Sequence, residues 1–137
     1  MSKISRTSKA AIIAAAATLC TVTMMPGTAA AASYGGQCGA GYNAGSVRHI
    51  AGGSVYLARK GGVACAVTIR NSFGPPATRM SVWVKSSYDE GWVADPGDFN
   101  QFAGPVYTST YQGCADYGGL IGGPDNQITA YEVCWDA

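Results

Sequence analysis

Four cysteines, at positions 38, 65, 114 and 134, constrain this chain more than any other feature. A fifth, Cys20, lies in a stretch that reads as an export leader. Lys3, Arg6 and Lys9 precede an apolar run from Ala10 to about Val22, and small residues ending in an A-x-A pattern follow. That run is too short and too rich in alanine to span a bilayer. Cleavage near Ala32 is expected, which makes 1–32 a secretory signal peptide and 33–137 a single secreted β domain. An even number of cysteines in a small exported chain points to two disulfides. Of the three possible connectivities, Cys38–Cys65 with Cys114–Cys134 is favoured because it closes the two shorter, unlinked loops. A zinc site does not fit: no two of the four stand in C-x₂₋₄-C relation, and His49 is the only histidine. No metal is expected.

The segments between the cysteines carry a strand signature. Of 19 glycines, all but Gly27 follow the leader, and no apolar pattern of period 3.6 lasts a dozen residues. Short alternating runs split by turn residues recur instead, which predicts an all-β fold, a small antiparallel sandwich or barrel stapled by two disulfides. "SVYLARK" (54–60) and "VACAVTIR" (63–70) flank Gly61 and Gly62 as a hairpin. In the second run Val63, Cys65, Val67 and Ile69 share a face, expected to be the core face with Cys65 pointing inward. "NSFGPPAT" (71–78) is a loop, because Pro75 and Pro76 cannot donate to a ladder. "RMSVWVK" (79–85) puts Met80, Val82 and Val84 inward and Trp83 outward. A short strand near "GWVAD" (91–95) should end in a type II turn centred on Pro96 and Gly97. "QFAGPVYTS" (101–109) reads as an edge or bulged strand because of Pro105, and "NQITAYEVCW" (126–135) reads as the last strand.

One stretch raises the question of chemistry. "CADYGGLIGG" (114–123) concentrates a cysteine, an acid, a tyrosine and four glycines. Phosphate binding would need G-x-G-x-x-G or G-x-x-x-x-G-K-[ST] opening a helix, and neither is present. The glycines are better read as allowing bulges and positive backbone angles beside a disulfide, a stapled bulge with Asp116 and Tyr117 as its polar handles. Nucleophilic catalysis lacks its constellation: the cysteines are expected oxidised, His49 reads as a surface residue, and G-x-S-x-G is missing. Asp89, Glu90, Asp95 and Asp98 lie in turn-rich sequence, where acids serve local hydrogen bonding, and they lack calcium-loop spacing. No catalytic residue and no cofactor is assigned.

Charge removes two partner classes. Three of the nine Lys+Arg lie in the leader, leaving six against eight Asp+Glu. A weakly acidic chain without clustered cations suits neither nucleic acid nor, after leader removal, an anionic membrane. Aromatic residues remain. Trp83 is out of phase with Met80, Val82 and Val84, and Tyr56 with Val55 and Leu57, so both should face outward as a sugar platform or protein contact. Trp92 joins Trp83 if four residues separate the strands and turns inward if five do.

At "FAGPVY" (102–107) followed by a cysteine and "DYGGLIGG" (116–123), the chain resembles the spore-associated protein A family, small secreted proteins of streptomycetes. Further matching phrases are "CGAGY" (38–42), "GSVYLA" (53–58), "CAVTIRN" (65–71) and "MSVWVK" (80–85). The resemblance spans nearly all of 38–134. It implies a secreted or spore-surface protein with no enzymatic activity or cofactor. The expected role is therefore structural or adhesive, with a spore or cell-envelope component, protein or polysaccharide, as partner. Two alternatives are a carbohydrate-binding module using Trp83, Tyr56 and Trp92, and an inhibitor of a secreted hydrolase. The Trp-Arg-Tyr triplet of small secreted amylase inhibitors does not occur here.

Overall fold

The computed structural model describes residues 33–110 and 113–135. The expected signal peptide at 1–32 lies outside them. Among the described residues nine strands form, β1 (Asn43–Ile50), β2 (Gly53–Lys60), β3 (Val63–Arg70), β4 (Thr78–Ser86), β5 (Val93–Ala94), β6 (Gly97–Phe99), β7 (Phe102–Ser109), β8 (Cys114–Ile121) and β9 (Gln127–Cys134). They build two antiparallel sheets, in the order β1-β2-β3-β7 and β5-β4-β8-β9, with β6 pairing the same β4 edge as β5. The all-β expectation thus resolves into a sandwich.

Alternation decides what each sheet buries. Val55 and Leu57 of β2, Ala64 and Ala66 of β3, and Val106 of β7 meet Met80, Val82 and Val84 of β4 and Ala115, Tyr117 and Ile121 of β8. Small alanines on one sheet leave room for Tyr117, the largest fully buried side chain. Its hydroxyl shares a 2.6 Å hydrogen bond with Ser46 Oγ of β1, so a polar group at the centre is satisfied across the sandwich. Tyr117 is therefore a core residue and not an exposed handle.

Burial pushes the Tyr117 phenol above its usual 10.0, against the opposing pull of Ser46 and Arg48. The folded chain resists ionising there, so as pH rises through 10.0 the unfolded chain loses its proton first. The contribution to stability is complete below that pH and declines above it. Tyr117→Phe should cost about 1 kcal/mol at neutral pH through the lost hydrogen bond. It should also shrink the alkaline loss, read from urea midpoints at pH about 8 and about 11. An alkaline loss unchanged by the substitution would refute this role.

The β2–β3 hairpin forms as expected, with Gly61 at φ +56°. The core face of β3 is the reverse of the expected one. Ala64, Ala66 and Thr68 face the other sheet, and Thr68 Oγ1 donates to the Ser81 carbonyl oxygen (3.0 Å). Cys65 is buried on the outer face instead, in a second cluster with Cys38 and Ala58 beneath Tyr34 and Tyr42. Segment 33–42 lies over this face, held by the Cys38–Cys65 disulfide and by Tyr107, whose hydroxyl donates to the Cys38 carbonyl oxygen (2.8 Å). Because β3 is covered on both sides, its period-two pattern did not reveal which side was the centre.

Three further corrections concern loops. No type II turn forms at Pro96–Gly97: Gly97 lacks the positive φ that turn requires, and it opens β6 opposite Met80. "CADYGGLI" is a full strand, β8, between β4 and β9, and the stapled-bulge reading holds only for its neighbourhood. The Cys114–Cys134 disulfide joins directly opposed residues, and a bulge falls between Tyr117 and Gly119. β1, over "NAGSVRHI", is a strand that the sequence pattern does not announce. β7 is an edge strand with irregular pairing, as Pro105 suggested. At the end of β3, the guanidinium of Arg70 reaches the carbonyl oxygens of Gly74, Pro76, Phe99 and Asn100 (3.2–3.3 Å), tying the 71–77 loop to the end of β6.

Candidate functional site

On the outer face of the second sheet, cross-strand pairing sets Trp83 of β4 between Ala94 of β5 and Gly118 of β8. A Cβ at Gly118 would overlap both the Trp83 indole and the Ile128 carbonyl oxygen. Glycine therefore lets the indole lie on bare backbone. On β9 the pairs Tyr117↔Tyr131 and Gly119↔Ile128 leave Thr129 and Ala130 together opposite Gly118. A bulge of this kind leaves a backbone group without a ladder partner. The Trp83 Nε1–H donates to the Thr129 carbonyl oxygen at 2.7 Å and supplies one. Glycine, bulge and tryptophan thus form one device that fixes the indole in place.

Trp92 lies two residues before Ala94, so it falls on the Trp83 side of the sheet. The connection between β4 and β5 runs over 87–92, longer than either length considered from sequence. Trp83, Trp92, Ala94 and Thr129 line an open, mainly apolar hollow of about 360 Å³. Trp92 is 42% exposed, and Tyr88 on the same connection is 60% exposed. Next along the face runs a polar row in which Lys85, Asp116 and Glu132 stand opposite one another. Lys85 Nζ is 3.6 Å from Asp116 Oδ2 and 5.2 Å from the centre of the Trp92 ring, and it donates to the Asp89 carbonyl oxygen (3.0 Å). Ser87 Oγ donates to Asp116 Oδ1 (2.9 Å).

Tyr56 is outward-facing as expected but belongs to the other sheet. It leans on Tyr34, with ring centres 6.0 Å apart, and borders a separate hollow of about 260 Å³ with Ala44, Gly45, Ser46 and Val47. The structure therefore unites Trp83 with Trp92 and separates Tyr56 from both. Sequence reading missed Ala94, Thr129, the Lys85–Asp116–Glu132 row and the role of Gly118. The pairing of Trp83 with Gly118, in which an indole fills the gap a glycine leaves in a sheet, appears only once the register of β4 on β8 is known.

Among the groups weighed for catalysis, His49, Asp95 and the cysteines have local duties. His49 Nδ1 shares a 2.7 Å hydrogen bond with Ser54 Oγ on the outer face of the first sheet. Asp95 Oδ2 accepts from the Gly104 N–H (2.8 Å), tying β5 to β7. Cys114, Glu132 and Cys134 place ligand-type atoms within 4.8 Å of one another, but the two sulfurs are bonded together and are not thiolates.

Fold and site define a two-disulfide β-sandwich with an aromatic hollow on one outer face. Spore-associated protein A of Streptomyces coelicolor is 42% identical over 96 residues, which cover 68% of this chain and 62% of that relative. The chain belongs to the spore-associated protein A family. It spans just under two thirds of the length of that curated relative. No family model matches it, and no solved structure matches it.

Proposed function

We propose that this protein is exported and works without enzymatic activity, as a structural or adhesive component at the surface of the spore or cell envelope. The observation that carries the reading is its likeness to a protein named for spore association. Two disulfides support it, because such bonds persist outside the reducing cytosol. So does the spread of its chemistry: the single histidine bonds to a serine, and Asp95 holds a backbone amide. Its partner is a protein or polysaccharide of the envelope.

Co-sedimentation of the oxidised protein with purified spores tests this reading. The protein should pellet with spores and stay bound through washes in buffer containing about 0.5 M salt, which screens loose electrostatic attachment. Complete recovery in the supernatant would overturn the assignment.

A further inference from the structure

We infer that the hollow between Trp83 and Trp92 binds an uncharged pyranose ring of a polysaccharide chain. The inference deepens the envelope-surface reading by naming the chemistry that would hold the protein there. Four features of the face narrow the ligand.

The first is what the tryptophans have left to offer. The Trp83 N–H is already satisfied by the Thr129 carbonyl oxygen, so its indole contributes apolar ring surface and no free donor. A ligand must bring C–H groups to that surface. The second is the polar row. Lys85 donates, Asp116 and Glu132 accept, and the row is continuous with the hollow through the Lys85–Trp92 contact. A hydroxyl can both donate and accept, so a ring carrying hydroxyls on its rim and C–H groups on its face matches both halves of the surface. Apolar body and polar rim together describe a sugar.

Charge supplies the third. Lys85 already sits over the Trp92 ring, in the position that a ligand cation would take. The two carboxylates beside it outnumber that single ammonium, which disfavours a polyanion. The fourth is scale. The hollow is lined by four residues and measures about 360 Å³. That volume falls at the small-ligand end of the usual range of ~300–1,000 Å³. Trp83, Ala94 and Thr129 sit on strands, where position is fixed before the ligand arrives, and Trp92 closes the hollow from the β4–β5 connection.

The test is retention of the oxidised protein on insoluble chitin, cellulose and peptidoglycan, run beside the spore sedimentation. Chitin or cellulose, the two uncharged polymers, should retain the native protein, and the anionic peptidoglycan should not be the sole one to do so. Trp92→Ala, at a side chain outside the core, should weaken that retention at least about tenfold with thermal unfolding unchanged. Tyr56→Ala, on the opposite sheet, should be retained like the native protein. Retention by none of the three or by peptidoglycan alone, retention unaffected by Trp92→Ala, or equal loss in Tyr56→Ala would each overturn the inference. Failure here with binding to spores intact leaves the envelope reading standing. Retention by a polysaccharide with no binding to spores would sink that reading and leave the glycan site.

Discussion

Replacing Cys38 and Cys65 together by alanine should lower the unfolding free energy by about 3–4 kcal/mol, the entropy of closing a loop of this length. The native bond ties the 33–42 segment to the outer face of β3, over Ala58 and beneath Tyr34 and Tyr42. Without the link, only side-chain contacts remain, chiefly the Tyr107–Cys38 hydrogen bond and the Tyr42–Tyr107 ring contact at 5.7 Å. The double variant should therefore open this segment to protease before the sandwich itself unfolds. Urea midpoints and limited proteolysis, both under non-reducing conditions, measure the two effects. A change below about 1 kcal/mol, with no new cleavage within 33–42, would contradict the account of the outer cluster.

Gly118→Ala should have a comparable effect on stability and also abolish the site. The added methyl meets the Ile128 carbonyl oxygen, which is backbone, as well as the Trp83 indole. Either β9 shifts or the indole leaves, and the second frees the Thr129 carbonyl oxygen. Overpacking of this kind costs about 1–3 kcal/mol, and the broken hydrogen bond adds about 1 kcal/mol. Thermal unfolding should drop by several degrees, and the Trp83 fluorescence should change as its hydrogen bond is lost. A variant with native melting and native tryptophan emission would show that glycine is not required at this position.

Much of the fold was legible because β-sheet chemistry writes itself in period two. The outward phase of Trp83 against Met80, Val82 and Val84 was correct, since β4 has one face on the core and one in solvent. Both disulfide pairings followed from loop length. β3 defeated the same logic because both its faces are buried, with Ala64 and Ala66 against the opposite sheet and Cys65 under the 33–42 segment. Only the larger side chains, Val67 and Ile69, looked like core. The glycines of β8 misled in another way. Gly122 does take a positive φ, at +87°, but Gly118 and Gly119 are strand residues kept small by neighbours. A Cβ at Gly119 would overlap the Thr68 hydroxyl and stand 2.9 Å from Val55. Contacts of that sort depend on register across three strands, which a single sequence does not state. The same gap hid the polar row, since Lys85, Asp116 and Glu132 come from three strands.

The protein carries three described tryptophans, Trp83, Trp92 and Trp135, and the last lies away from the hollow, beside Arg59. The most direct measurement is therefore the indole N–H spectrum of ¹⁵N-tryptophan-labelled protein during titration with the soluble hexamers of N-acetylglucosamine and of β-1,4-glucose. One of the two sugars should move the Trp92 and Trp83 resonances progressively and leave Trp135 in place. Movement of Trp135 alone, or no movement with either hexamer, would contradict the claim that this face is a glycan site.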